Sequence, residues 1–302
     1  MRFDTPPGNR ADDDVANTNI VEAAVGQALA RQGRSGSERR CPDPIISVVI
    51  PVFDDREALA SLLAELAPWR ARGVEVVVVE AGSAASAPPT MRAATDLWLH
   101  SSAGRGQQLG LGAEAARAER LWFLHADTRD IDAAADWLLA RSTNTAGEVA
   151  WGRFDVAIRP RDWRLDVLAW FMIHRSRLTG IATGDQGIFV DRALLARVGG
   201  WPWQRLMEDI ELSRRLRRIR PPLTPKTALG VSGRRWLRNG FLRTVLQMWW
   251  LRFTYFVGAH PDDIYRRYYG SDTRDASDSS PESALADHEC AQPVTPASEK
   301  RE

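Results

Sequence analysis

Charged and imidazole side chains in this chain fall where apolar runs stop, and that placement gives them chemistry. Leu121-Trp122-Phe123-Leu124 runs straight into His125-Ala126-Asp127-Thr128. A short apolar run bounded by polar residues has the pattern of a strand buried on both faces. In open α/β sheets, ligands bind beyond the carboxyl ends of the strands, so Asp127 is expected at the mouth of a site. Two other apolar runs end in the same way, one in Phe53-Asp54-Asp55 and one in Glu80-Ala81-Gly82-Ser83. Gly104-Arg105-Gly106-Gln107 precedes a helix, where a glycine-flanked Arg suits a phosphate or ribose. Met207-Glu208-Asp209 opens another helix, where acids also simply complement the helix dipole. Arg234-Arg235-Trp236 follows the last expected strand, and a basic helix start, disfavoured by the dipole, points to an anionic ligand.

The elements that must carry these groups alternate. Ile45 to Val52 is β-branched and reads as a buried strand. Asp54 or Asp55 caps the next helix, in which Leu59, Leu62, Leu63 and Leu66 recur at helical spacing. Val74 to Val79 is a second strand and Asp96 to His100 a shorter third. A helix from about Gln107 to Glu119 then leads to the fourth strand, Leu121 to Leu124. This alternation predicts βαβ units and a mainly parallel sheet, with the polar turns gathered on one rim.

The second half is less regular. Glu148 to Val156 reads as a strand, Trp163 to Leu178 as a long helix and Ile188 to Val190 as a short strand. Met207 to Ile219 reads as a helix and Thr227 to Val231 as a strand. Trp236 to Val257 reads as a final aromatic-rich helix interrupted by Arg238, Arg243 and Arg252. A charge at a bilayer centre costs about 2.5–3.5 kcal/mol, which disfavours a spanning role. Packing on the domain with the arginines snorkelling is preferred to peripheral contact with a membrane through 236–257.

Composition bounds the class. The 302 residues are 44% hydrophobic and 26% charged, ordinary for a soluble globular protein. A net charge of +1 supplies no global field to draw nucleic acid. The only lysines are Lys226 and Lys300, so the positive charge is almost all Arg, whose planar fork grips carboxylates and phosphates. A compositional preference explains most of those arginines. Cys41 and Cys290 have no metal spacing, no disulfide framework is expected, and a cytoplasmic setting fits. Met1 to Asp14 lacks an apolar stretch, so no secretory signal is expected, and no run of about 18 apolar residues predicts a spanning helix. Residues 1–44 read as a disordered extension and 45–235 as the main domain. Residues 236–270 read as a helical segment packed on it, and 271–302 as a disordered tail.

Three strings stand in order: Phe123-Leu124-His125-Ala126-Asp127-Thr128, Thr179-Gly180-Ile181-Ala182-Thr183-Gly184-Asp185-Gln186, and Met207-Glu208-Asp209-Ile210-Glu211-Leu212-Ser213-Arg214-Arg215. Ser47-Val48-Val49-Ile50-Pro51-Val52-Phe53-Asp54-Asp55 precedes them. From about Ile45 to Gly270 the chain resembles family 2 glycosyltransferases of the GT-A fold, within them a bacterial subgroup carrying those three strings. The resemblance implies a Rossmann-like, mainly parallel sheet flanked by helices, with the aromatic-rich helix at the C-terminal end. It implies inverting transfer of a sugar from a nucleotide-diphosphate sugar, UDP-sugar favoured, to a hydroxyl or carboxyl acceptor. Names within the subgroup point to a lipid-like or carotenoid acid. A divalent cation, Mn2+ or Mg2+, is implied at the diphosphate.

The resemblance also implies roles, residue by residue. Asp127 matches the last acid of the family's acid–any–acid motif, and His125 stands where the first acid is usual. An imidazole makes the ligand set less oxygen-rich and brings Mn2+ level with Mg2+; otherwise His125 is a hydrogen-bonded strand-end histidine. Glu80 falls where an acid, usually Asp, contacts the base. Pro51, Phe53 and Asp54 line the nucleotide, with Asp54 where Asn is common and Asp55 where Glu is common. Arg105 is placed on phosphate or ribose, and Arg235 and Trp236 resemble an Arg–Trp motif that closes over the diphosphate. Asp185 and Gln186 are placed on the donor sugar or the acceptor. Asp209 corresponds to the base, supported by Glu208: a carboxylate within about 3 Å of the acceptor hydroxyl takes its proton as it attacks. Trp201-Pro202-Trp203 is open between stacking on a sugar and core packing.

Two other functions compete. A non-catalytic sugar-nucleotide-binding protein is kept open by His125 and Glu80, which depart from the family pattern. A sugar nucleotidyltransferase is disfavoured, because Val52-Phe53-Asp54-Asp55 occupies the place of the Gly-rich basic run such enzymes carry after their first strand.

Overall fold

The computed structural model describes residues 43–82, 87–144, 149–204 and 206–233, with 250–252, 254, 255, 257, 258, 260 and 263. All but the last two residues of the expected extension, the pair Arg235 and Trp236, most of the expected final helix and the whole expected tail lie outside the described residues.

Strands and helices alternate through the first half. They are β1 (Ile46–Phe53), α1 (Arg56–Arg70), β2 (Val74–Ala81), α2 (Pro89–Ala93), β3 (Leu97–His100), α3 (Arg105–Ala115) and β4 (Arg120–Phe123). There follow α4 (Asp132–Asn144), β5 (Trp151–Gly152), β6 (Asp155–Arg159), α5 (Trp163–Thr179), a 3-10 turn (Gly184–Gln186), β7 (Phe189–Asp191), α6 (Arg192–Arg197), α7 (Glu208–Arg217) and β8 (Ala228–Ser232). Six strands form one sheet in the order β3-β2-β1-β4-β7-β5. The pairs β2–β3, β1–β2 and β1–β4 are parallel, whereas β7 runs antiparallel to β4 and β5. The fold is therefore α/β with a mostly parallel sheet flanked by helices.

Both sheet faces are apolar because strand side chains alternate. Val48 and Ile50 of β1 face Leu59, Leu62 and Leu66 of α1 and Leu138 of α4. Val49, between them, faces Leu109 of α3 and joins Leu194, Leu212 and Leu216 from α6 and α7. Each fully buried Val or Leu contributes about 1.5–3 kcal/mol, so a strand covered on both faces holds its register firmly.

The strand order reverses between β1 and β4, the next strand in sequence to join beside it. A crevice opens at such a switch point, beyond the carboxyl ends. Asp55 caps α1, its Oδ1 accepting from Ala58 N at 3.2 Å. Asp54 is not the cap: it stands at φ +49°, a left-handed conformation uncommon for a non-glycine residue. Pro51 is tolerated inside β1 for a local reason. Val49 O accepts from Leu124 N, so the N atoms of Val49 and, two residues on, Pro51 face the β4 side. The β1–β4 pairing ends at Val49 and Phe123, so no ladder bond is lost at Pro51.

The single strand expected over 148–156 is divided. Trp151–Gly152 pairs with β7, while Asp155–Arg159 pairs with β8 in a separate two-stranded sheet. The chain changes sheets at Arg153, which is fully buried, and whose two terminal nitrogens donate to Asp155 and to the carbonyls of Phe154 and Ile173 while its Nε has no partner. The alanine-rich run of α4 gives little periodic signal, yet it buries Ala134, Ala135 and Leu138. Helix α5 is capped by Asp162, whose side chain accepts from Arg164 N, and ends at left-handed Gly180. No described helix is long and apolar enough to cross a membrane.

Candidate active site

Five charged groups converge beyond the carboxyl end of β4. Arg105 opens α3, and its Nε donates to Glu208 Oε1 at 2.6 Å. Its Nη1 lies 3.5 Å from His125 Nε2. His125 Nδ1 is in turn 3.1 Å from Asp185 Oδ1. Gly184, beside Asp185 in the 3-10 turn, donates its N–H to Asp209 Oδ2 at 2.8 Å. One polar chain thus runs from α3 through the β4 end and the turn to the first residues of α7. The backbone is built for this closeness. A Cβ at Gly184 would sit 2.5 Å from His125 Nε2, and one at Gly106 would overlap the Gln204 carbonyl.

Electrostatics tie the cluster together. Glu208 is buried, with a side chain 1% exposed. Burial pushes its carboxyl above the usual carboxylate range, against the pull of Arg105. The Glu208 charge holds Arg105 protonated more firmly than usual. Only one carboxylate oxygen of Glu208 is paired; Oε2 is buried without a hydrogen-bond partner. Burial would raise Asp185, but the hydrogen bond and charge of His125, with Arg105 and Arg252, outweigh it and hold its carboxyl at about 2. Its side chain remains 47% exposed and so faces the mouth. Asp209 Oδ1 accepts from Ile210 N at 2.7 Å, so backbone donors fix both of its oxygens.

Asp127 is turned away from this cluster. It lines a cavity of about 670 Å³ with Asp55, Ser61, Arg129, Arg159 and Ser232. His125 lines a smaller space with Leu109, Trp201, Glu208 and Asp209. The two residues of the expected metal pair therefore open onto different cavities, and the ring nitrogens of His125 already meet Asp185 and Arg105. Among the described residues, no group of three or more His, Cys, Asp and Glu side chains is arranged so that it could hold a metal ion. The donors that fit a hard cation are carboxylate oxygens: Asp127, with Asp55 on the same wall.

The residues expected to line a nucleotide sit at the ends of β1 and β2. Glu80 is fully buried; Arg56 Nε donates to its Oε1 at 2.6 Å and Trp98 Nε1 to its Oε2 at 3.2 Å. Phe53 is 60% exposed at the end of β1. A Cβ on Gly82 would lie 2.7 Å from its ring, so Gly82 lets the ring lie flat against the β2 end. Pro51 and Asp54 occupy the same rim.

One expectation is corrected and one open reading is decided. Gln186 does not reach the mouth: it is fully buried, its Oε1 accepting from Thr183 N at 3.1 Å and its amide donating to Phe154 O. The side chain closes the 3-10 turn and so positions Asp185. Trp201 is a core residue and Trp203 is half-buried against the same cluster. Trp201 is 3% exposed, with its ring 4.1 Å from that of Phe123, and Trp203 packs on Gly110. Arg235 and Trp236 lie outside the described residues. Sequence reasoning missed Arg56 and Trp98 on Glu80, and Arg175 and Arg252 behind Asp209. Nothing in their sequence context separates them from the chain's many other arginines and tryptophans.

No protein-family model matches the chain, and no curated protein matches it. Among solved structures, a mannosyltransferase from Pyrobaculum calidifontis in complex with GDP-Man and Mn2+ is 18% identical, over 80% of this chain and 71% of that one, with a TM-score of 0.49. S. aureus TarS 1–349 is 15% identical, over 62% of this chain and 60% of that one, with a TM-score of 0.47. Glucosyl-3-phosphoglycerate synthase from Mycobacterium tuberculosis, in complex with Mg2+ and uridine diphosphate, is 17% identical, over 68% of this chain and 74% of that one, with a TM-score of 0.44. Likenesses this distant carry no argument about function, which rests on the site itself.

Proposed function

We propose that this protein is a GT-A-type, inverting glycosyltransferase that uses a nucleotide-diphosphate sugar and a divalent cation. The observation that carries the reading is the junction of the three sequence strings. Leu124-His125-Ala126-Asp127, Gly184-Asp185 and Glu208-Asp209 meet at the carboxyl end of β4 through contacts of 2.6–3.5 Å.

The residues divide the work by position. Phe53 offers an exposed aromatic face to a base, and Glu80, buried with its two oxygens on Arg56 and Trp98, braces the β2 end of the rim. Asp127, and Asp55 with it, would hold the cation, which when bound neutralises the charge that grows on the departing diphosphate. Arg105 adds positive charge on the other side of the β4 end, with His125 and Glu208. His125 is better placed to lock Asp185 than to ligate metal, since its nitrogens are engaged. Asp185 faces the mouth, where it can accept from sugar hydroxyls. Asp209 takes the proton of the acceptor hydroxyl as that oxygen bonds to the anomeric carbon. The bond from that carbon to the diphosphate oxygen breaks, and its electron pair leaves with the nucleoside diphosphate. Glu208, raised by burial and paired with Arg105, positions Asp209 at the helix start.

The test is a thermal-shift titration with UDP, GDP and their sugars, with and without Mn2+. A saturating ligand that binds only the folded state raises the melting temperature. A Mn2+-dependent shift from at least one nucleotide diphosphate, abolished by Asp127→Asn, is expected. No shift from any of them, with or without metal, would sink the reading.

A further inference from the structure

Asp155 pairs with two arginines and does not reach a third; of the first two, Arg153 keeps one unpartnered nitrogen, its Nε. The buried Arg153 donates to its Oδ1, and Arg177 Nη2 donates to Oδ1 at 3.0 Å and Oδ2 at 2.8 Å. Arg175, on the same helix α5, has no such acid. Its Nε and Nη2 are buried and make no hydrogen bond, and the Nε of Arg252 is buried and unpartnered too. Leu251 fixes where Arg252 stands, because it is buried against Ile181, Met207 and Ile210, which flank the 3-10 turn and the start of α7.

The two guanidiniums repel each other, and each also feels an acid of the site: Arg175 feels Asp209, and Arg252 feels Asp185. Burial first, then Arg252, bring Arg175 down to about 10. Neither acid relieves the arginines by hydrogen bonding. Asp209 accepts from Gly184 and Ile210, and Asp185 from His125. Desolvated donors without acceptors are costly, and such a pair persists where an oxyanion comes to it. Leu251 packs with Met207 and Ile210, which bracket Glu208 and Asp209, so Arg252 stands at the acceptor-side end of the site rather than beside Asp127 or Glu80, and Asp209 is the site acid whose charge Arg175 feels. The oxyanion is therefore one that arrives with the acceptor.

We propose that Arg175 and Arg252 form an oxyanion subsite beside Asp209 that binds a carboxylate or phosphate group of the acceptor, so that the acceptor is a hydroxyl-bearing acid. The assignment to the acceptor rests on the transferase reading above; the oxyanion site itself does not.

Glycerol, glycerate and glycerol 3-phosphate share a hydroxyl-bearing backbone and differ in charge. Each is titrated calorimetrically into the full-length protein, alone and with UDP or GDP and Mn2+. Both anions should bind and glycerol should not, with their relative affinities separating carboxylate from phosphate. Arg175→Met should weaken the anions by about tenfold or more, the loss of one charge-assisted hydrogen bond, and leave nucleotide affinity unchanged. Arg175→Lys should restore part of it. Because Arg175 is unpaired in the free protein, Arg175→Met should melt at or above the wild-type temperature, whereas a structural role predicts a lower one. Arg252→Gln is the second variant. Anion affinity unchanged in both variants, or equal to that for glycerol, overturns the subsite. A parallel loss of nucleotide affinity assigns the arginines to the donor diphosphate and overturns the acceptor assignment. Anion binding without any nucleotide binding removes the transferase reading and keeps the oxyanion site; nucleotide binding without anion binding does the reverse.

Discussion

Arg105 and Glu208 are 103 residues apart in the chain and 2.6 Å apart in the fold. The glutamate is buried and the arginine is 38% exposed. The pair pins the start of α3 to the start of α7, and so Arg105 to the helix turn that carries the proposed base, Asp209. A buried carboxylate stripped of its cation is left uncompensated. Arg105→Met should therefore lose about 2 kcal/mol at pH 7, near the lower end because Arg105 is partly solvated. The double variant Arg105→Met/Glu208→Met should recover most of that loss. Urea denaturation of the set measures it, and a double variant no more stable than the single one would show that the pair is not what is being broken.

Glu208 also predicts a pH dependence. Its folded pKa lies above the ordinary value of 4.5, so the folded state holds its proton more tightly than the unfolded state does. That contribution is complete below pH 4.5 and is lost as pH rises through the folded pKa. Glu208→Gln keeps an oxygen for Arg105 and cannot ionise. Relative to wild type, the variant should gain stability between pH 4 and pH 7. Denaturation midpoints at the two pH values decide the sign, and a shift in the opposite direction would mean that pairing with Arg105 outweighs burial.

Gly184 is held open for His125. A methyl group there would stand 2.5 Å from His125 Nε2, and the imidazole must swing away from Arg105 and Asp185. Gly184→Ala should cost about 1–3 kcal/mol as an overpacking change and lower kcat more than nucleotide affinity. Steady-state kinetics alongside nucleotide titration separates the two effects; a variant with wild-type kcat would remove His125 from the positioning chain.

Asp209→Asn preserves shape and removes the proposed base. Transfer should fall by about 10²–10⁴-fold, while the Mn2+-dependent nucleotide shift remains. Transfer at the wild-type rate would end its assignment as base, and loss of nucleotide binding would place Asp209 on the donor instead.

The sequence alone determined a good deal. Strands β1, β2 and β4 are legible because they are apolar on both faces, and their polar ends declare the rim. Leu59, Leu62 and Leu66 declare α1 by spacing alone. The three strings that meet at the site were all visible, as were Asp127, Asp185, Glu208 and Asp209 within them. What the tertiary structure decided concerns direction and partnership. Local spacing cannot show that Gln186 turns inward to close its own turn, that Trp201 stacks on Phe123, or that His125 and Asp127 look into different cavities from one short loop. It cannot show that residues 151–159 serve two sheets, since the buried Arg153 that marks the change is bonded to groups set by the fold. Nor can it show that Arg105, Glu80 and Arg175 differ in kind. Arg105 is matched to a glutamate from another helix, Glu80 is saturated by Arg56 and Trp98, and Arg175 is left without an acid. A residue's type fixes what it can bond, but burial and the neighbours brought by long-range packing fix whether that capacity is spent on the fold or left for a ligand.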